Sequence, residues 1–403
     1  MLEILSDRTY RHLFLAQIVA LLGTGLATVA LGLLAFDLAG GDAAMVLGTV
    51  FAIKMIAYVG IAPIAGAFAD RAPRRTLLVA LDLTRAGVAL CLPFVTEIWQ
   101  VYILIFVLQS ASAAFTPTFQ ATIPDVLPEE ARYTRALSLS RLAYDLENIA
   151  SPTLAALLLA VMSYHALFLG TVFGFVASAI LVLTVLLPSP KASEPRGIYD
   201  RTTRGIRIYL ATPRLRGLLA LNLAAASAGA MVLVNSVVLV RGTLGLSESA
   251  LGWTMLAFGA GSMLAALALP RLLDRVPDRP VMVAGAILMI AVLLSLAGEI
   301  AILGLEWPFL LMAWLLVGFG YSSVLTPSGR LLRRSAHAED RPALFAAQFA
   351  LSHACWLVTY PLSGWLMTEY GPITALCSLS ILIGISIFLT LMLWANDDPI
   401  EAL

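Results

Sequence analysis

The informative residues of this chain are ionisable side chains set inside long apolar stretches. A charge in such surroundings needs a partner or a polar cavity. Asp82 and Arg85 stand at i and i+3 in one stretch, on one helix face, where they can neutralise each other. A second stretch carries Arg141, Tyr144, Asp145, Glu147, Asn148, Ser151 and Pro152. Arg141 and Asp145 are i, i+4 neighbours and form a second expected pair. Glu147 has no basic neighbour at helical spacing, and a partly desolvated carboxylate suits a group that takes up and releases a proton. Glu147 is therefore the first candidate for proton coupling, with Asp145 and Asp82 behind it. The bland alternative for Glu147 is a structural acid paired across helices with Arg85 or Lys54.

Other polar groups are candidates for lining a solute path: Gln17, Lys54, Arg85, Tyr144, Asn148, Asn222 and His353. Lys54 either attracts an anionic solute group or snorkels to the interface. His353 and Cys355 are metal-ligand types, but two positions apart on a helix they point away from each other. A metal site would instead need His353 with Glu147, which remains the alternative. The three cysteines, Cys91, Cys355 and Cys377, form no CxxC and read as small apolar residues. No GxxxxGK[ST] phosphate loop and no HExxH cluster occurs, so neither an ATP-driven pump nor a metalloenzyme is expected, and no cofactor is.

The elements that must position these groups follow from composition. Of 403 residues, 60% are hydrophobic and 12% charged, with a net charge of zero and a mean hydropathy of +0.91. That is about half the usual supply of charge. It excludes a disordered chain, makes a soluble enzyme or a nucleic-acid binder a poor fit, and points to a polytopic protein whose first partner is the lipid bilayer. A helix crossing the hydrocarbon needs about 20 apolar residues. Twelve such runs are expected, at 12–37, 44–69, 76–96, 99–121, 137–162, 165–187, 215–240, 249–271, 280–298, 307–329, 343–368 and 371–394. Twenty-two of the 25 basic residues fall in alternate connections, which places both termini and the long central loop on the cytoplasmic side. The expected fold is an all-α membrane protein of twelve transmembrane helices in two six-helix bundles, 1–187 and 215–403, joined by a cytoplasmic linker at 188–214.

The two halves repeat. Asp70-Arg71-Ala72-Pro73-Arg74-Arg75 returns 204 positions later as Asp274-Arg275-Val276-Pro277-Asp278-Arg279. Thr116-Pro117 returns as Thr326-Pro327, and Pro152 as Pro361. Parallel six-helix repeats place a solute path at their interface. Such a pair of bundles encloses its own path, so a monomer suffices.

On these residues the whole chain resembles the major facilitator superfamily. The loop Gly66-Ala67-Phe68-Ala69-Asp70-Arg71-Ala72-Pro73-Arg74-Arg75 matches its G-x-x-x-D-R-x-G-R-R signature except at Pro73. The Asp82–Arg85 pair and the run TPTFQATIPDVLPEE are similar to the branch of macrolide and siderophore exporters. The stretch around His353 also resembles nickel-resistance exporters of the superfamily. The resemblance implies a secondary transporter moving a small solute outward by alternating access, in exchange for protons, with divalent-metal efflux as the rival. A non-transporting receptor or scaffold is the rival of another class. It further implies a cytoplasmic latch built from Gly66, Asp70, Arg71, Arg74, Arg75 and Asp125, echoed by Asp274 and Arg275. In that latch Asp70 faces the start of the eleventh span, at Pro342, and Arg74 pairs with Asp125. Span 4 lacks the arginine such exporters often carry, and Ser151-Pro152 with Ala155-Ala156 stands where G-P-x-x-G-G is usual.

Overall fold

The structure is a computed structural model. It describes residues 2–68, 73–129, 153–187, 198–273, 275–335 and 341–394, together with Arg132, Ala136, Leu139, Ser140, Ala143, Ala150 and Ser151. Among these residues there are helices and turns and no strand. In chain order the helices are α1 (Arg8–Ala39), α2 (Ala43–Phe68), α3 (Arg74–Cys91), α4 (Ile98–Val126), α5 (Tyr164–Leu183) and α6 (Ile198–Ala211). There follow α7 (Pro213–Val237), α8 (Glu248–Leu273), α9 (Asp278–Ile302), α10 (Trp307–Leu325), α11 (Ser328–Arg334) and α12 (Arg341–Leu393).

Nine stretches of the described residues are long and apolar enough to cross a membrane. Two of them are composite. Residues 8–61 run through the 3₁₀ turn Gly40–Asp42, and residues 344–393 contain Gly371 at φ 79°, a backbone conformation that breaks the helix and favours glycine. The expected spans fall on these helices with edges shifted by a few residues, except the fifth, 137–162, much of which lies outside the described residues.

The chain gathers into two compact units, residues 1–39 with 53–194 and residues 40–52 with 195–403. In the first unit α1 and α5 meet at Gly23 and Gly174. A Cβ on Gly174 would stand 2.6 Å from the Val19 carbonyl oxygen, so only glycine lets the backbones come this close. Thr171 Oγ1 donates to the Gly23 carbonyl at 2.8 Å across the same approach. A cluster of Tyr10, Leu13, Leu78, Phe119, Ile123 and Leu127 closes the end of this unit near the start of α3.

The second unit includes the first turns of α2, against α12. A Cβ on Gly48 would lie 2.7 Å from the Tyr360 carbonyl oxygen, and one on Gly364 would lie 2.3 Å from that of Ala44. Much of the expected linker is also ordered helix. Within 188–214, residues 198–211 form α6, which packs on α7 and α12. Gly205 and Tyr209, one turn apart, are buried there, whereas Arg204 and Arg207 on the other face are exposed. The polar composition that suggests a tether is that of an amphipathic helix with one committed face.

Candidate functional site

Asp82 and Arg85 lie on α3, two turns and more inside its start, and both are buried. Arg85 donates to Asp82 Oδ1, as the i, i+3 spacing requires. Ser178 on α5 donates to Asp82 Oδ2 at 2.7 Å. The guanidinium carbon lies 4.2 Å from the Phe115 ring centroid on α4 and 4.4 Å from that of Phe175 on α5. The cation is thus held between two ring faces while its acid is capped by a hydroxyl. Deleting one partner of so enclosed a pair strands the other charge, a loss of about 3–5 kcal/mol.

The charged loop is described in part. Asp70, Arg71 and Asp274 lie outside the described residues, and Gly66 sits in the last turns of α2. Arg74 is the first residue of α3, follows Pro73, and makes an ion pair with Asp125 Oδ2 near the end of α4 at 3.0 Å. Arg75 donates to the carbonyl of Leu183, the last residue of α5. In the second unit Arg275 is exposed, and the inward-facing charge is Asp278, the first residue of α9 after Pro277. Asp278 accepts from Arg330 Nε at 2.9 Å, and Arg334 Nη1 stands 3.6 Å away. Arg330 also donates to the Leu273 carbonyl at 3.1 Å, tying the end of α8 to α11.

Of the groups expected to couple protons or line a path, Tyr144, Asp145, Glu147 and Asn148 lie outside the described residues. Gln17 is buried and accepts from Ser140 Oγ at 2.9 Å. Lys54 is half-buried with its Nζ 5.9 Å from the Tyr58 ring centroid. His353 bonds through Nδ1 to the Phe349 carbonyl at 2.7 Å and lies against the Phe349 ring. Among the described residues no three His, Cys, Asp or Glu side chains gather. Asn222 is buried beside the Tyr209 phenol. Burial pushes that phenol well above its ordinary range, so it stays a neutral donor, to Gln348 Oε1 at 2.5 Å.

Sequence reasoning missed a chain of aromatic rings through the second unit. Phe51 meets Tyr360 at 4.9 Å between centroids, Tyr360 meets Trp356 at 4.8 Å, Trp356 meets Tyr321 at 6.2 Å, and Tyr321 meets Phe258 at 5.5 Å. The rings come from α2, α12, α10 and α8. Gly229 on α7 makes room for them, since a Cβ there would stand 2.3 Å from the Trp356 ring. Tyr360 is buried, and Trp356, Tyr321 and Phe258 are half-buried, leaving ring surface for stacking against a flat apolar group. The one sequence signal was Trp356 and Tyr360 at i, i+4.

Comparison with known proteins bears on this frame. The Major Facilitator Superfamily model matches residues 13–235 and again 217–402. An uncharacterised MFS-type transporter of Bacillus subtilis, YfiS, is 29% identical over 264 residues, 63% of this chain and 62% of that protein. Macrolide efflux protein A of Streptococcus pyogenes is 30% identical over 150 residues, 36% of this chain and 37% of that protein. The matched stretches thus span less than two thirds of these relatives' lengths. In fold, a bacterial homologue of the human lysosomal transporter Spinster, inward-facing and unoccupied, superposes with a TM-score of 0.75 at 13% identity, covering 95% of this chain and 96% of that one. The nucleoside transporter NupG gives 0.71 at 14% identity, covering 96% and 98%. With both halves matching one family model on a frame of many apolar helices, the chain belongs to the Major Facilitator Superfamily and is a multi-pass integral membrane protein.

Proposed function

We propose that the chain exports a small, ring-bearing solute, drug-like or siderophore-like, by alternating access in exchange for protons. It does so as a monomer in the plasma membrane, with twelve spans, both termini cytoplasmic, and bundles 1–187 and 215–403 moving about the linker 188–214. The observation that carries the solute class is the aromatic chain from Phe51 to Phe258, whose half-buried rings suit a flat apolar partner. Local similarity to a macrolide efflux protein supports the outward direction. The basic residues concentrated in alternate connections support the sidedness.

Glu147 is the proposed coupling acid. Asp82 is the less apt choice, because Arg85 and Ser178 already hold both its oxygens. Asp70 with Arg74 and Asp125 forms the proposed cytoplasmic latch. The test is flux through the purified full chain in liposomes, with and without an imposed pH gradient, using an aromatic macrocycle as solute. A gradient-driven flux is expected, and its loss to under a tenth is expected in Trp356→Ala at unchanged protein abundance. Glu147→Gln should lose driven flux yet keep solute counterflow. Flux indifferent to the gradient, or driven flux surviving in Glu147→Gln, would remove proton coupling at that residue.

A further inference from the structure

We propose that the exposed face of α6 is a binding surface for an anionic phospholipid, whose phosphodiester lies between Arg204 and Arg207 and whose acyl chain covers Ile208, Leu210 and Ala211. The placement comes first. α6 ends at Ala211 and only Thr212 separates it from α7, one of the stretches long and apolar enough to cross the membrane. Arg207 is only six residues before Pro213, so the face that carries it adjoins the start of that span, where headgroups lie.

The face is held in a fixed orientation. Tyr209, on the opposite side of α6, is wholly buried and donates to Gln348 Oε1 on α12 at 2.5 Å. Just beyond, Arg214 Nε donates to Ser335 Oγ at 2.8 Å, and its Nη2 donates to the Arg334 carbonyl at 3.0 Å. With that side committed, Arg204, Arg207, Leu210 and Ala211 are left exposed, and Arg204, Arg207, Ile208 and Ala211 line one shallow recess.

The chemistry of the recess selects its occupant. Arg204 and Arg207 stand one turn apart on the exposed face, and a guanidinium, with five N–H donors, is the side chain best suited to phosphate oxygens. Residues 191–216 carry seven basic side chains against two acidic ones, so a headgroup with net negative charge is attracted and an ethanolamine ammonium is opposed. A free phosphate would leave Ile208, Leu210 and Ala211 in water. An acyl chain removes them from it.

The experiment measures lipid retention by the purified full chain in detergent, read by native mass spectrometry as phosphatidylglycerol or phosphatidylethanolamine is added. Two arginines at a charged surface imply a preference for phosphatidylglycerol of about 30-fold. Arg204→Gln with Arg207→Gln should bring it to within about threefold, while the lysine pair should keep most of it. Ile208→Ser should weaken retention of both lipids without changing their ratio. Arg271→Gln, an exposed arginine at the end of α8, should behave as the unaltered protein. Equal retention of the two lipids, or full preference in the double glutamine variant, would overturn the proposal. So would an equal loss in Arg271→Gln, which would mean diffuse charge. Displacement by millimolar inorganic phosphate would overturn it in favour of a soluble anion.

Discussion

Arg74 in the first unit and Asp278 in the second hold the same station with opposite charge. Each is the first residue of a helix, follows a proline, is nearly buried, and reaches a counter-charge near the far end of the next long helix or just past it. Their surroundings differ in a way that ranks them. A helix N-terminus carries partial positive charge, which favours the carboxylate of Asp278 and opposes the guanidinium of Arg74. Asp278 is also flanked by two arginines, Arg330 and Arg334. The repeat therefore kept the position of an ion pair and not its sign, and the first unit holds the weaker version.

Arg74→Asp would set two carboxylates where an ion pair stood, and should cost about 3 kcal/mol in thermal unfolding of the purified protein. Adding Asp125→Arg restores opposite charges in the orientation of the second unit and should recover most of the loss. If the double variant is no better than the single one, the station does not depend on pairing.

The next effect separates the two units. Asp278→Asn leaves Arg330, 24% exposed, and Arg334 without their shared counter-charge, for about 2 kcal/mol. Asp125→Asn should cost about 1 kcal/mol, because the arginine it holds sits at a helix N-terminus, where a cation is the less favoured ion. The reverse order would show that helix polarity does not rank the two stations. Arg334→Gln is the smallest change, within about 0.5 kcal/mol, since that side chain is 43% exposed and 3.6 Å from Asp278.

What was legible beforehand was whatever lies along a single helix. Asp82 and Arg85 meet because i and i+3 share a face, and nothing distant was needed to bring them together. Ser178, Phe115 and Phe175, which enclose that pair, come from α4 and α5 and leave no trace in the sequence around α3. The same division runs through the aromatic chain. Trp356 and Tyr360 are readable as neighbours, while Phe51, Tyr321 and Phe258 join them only when other helices pack. Arg74 and Asp125 were paired beforehand by resemblance, whereas Asp278 and Arg330, 52 residues apart, were not paired at all.

By itself, then, the sequence determined a chain of apolar helices with basic residues in alternate connections, its duplication, and the Asp82–Arg85 pair internal to one helix. These are properties of spacing and transfer free energy, which act locally. Only the tertiary structure decided that 198–211 is a docked helix with one committed face, that Arg85 sits between two rings, and that five aromatic side chains form a line. Each of those depends on which helix faces which, and in these helices glycines such as Gly48, Gly174 and Gly229 decide how closely the faces approach.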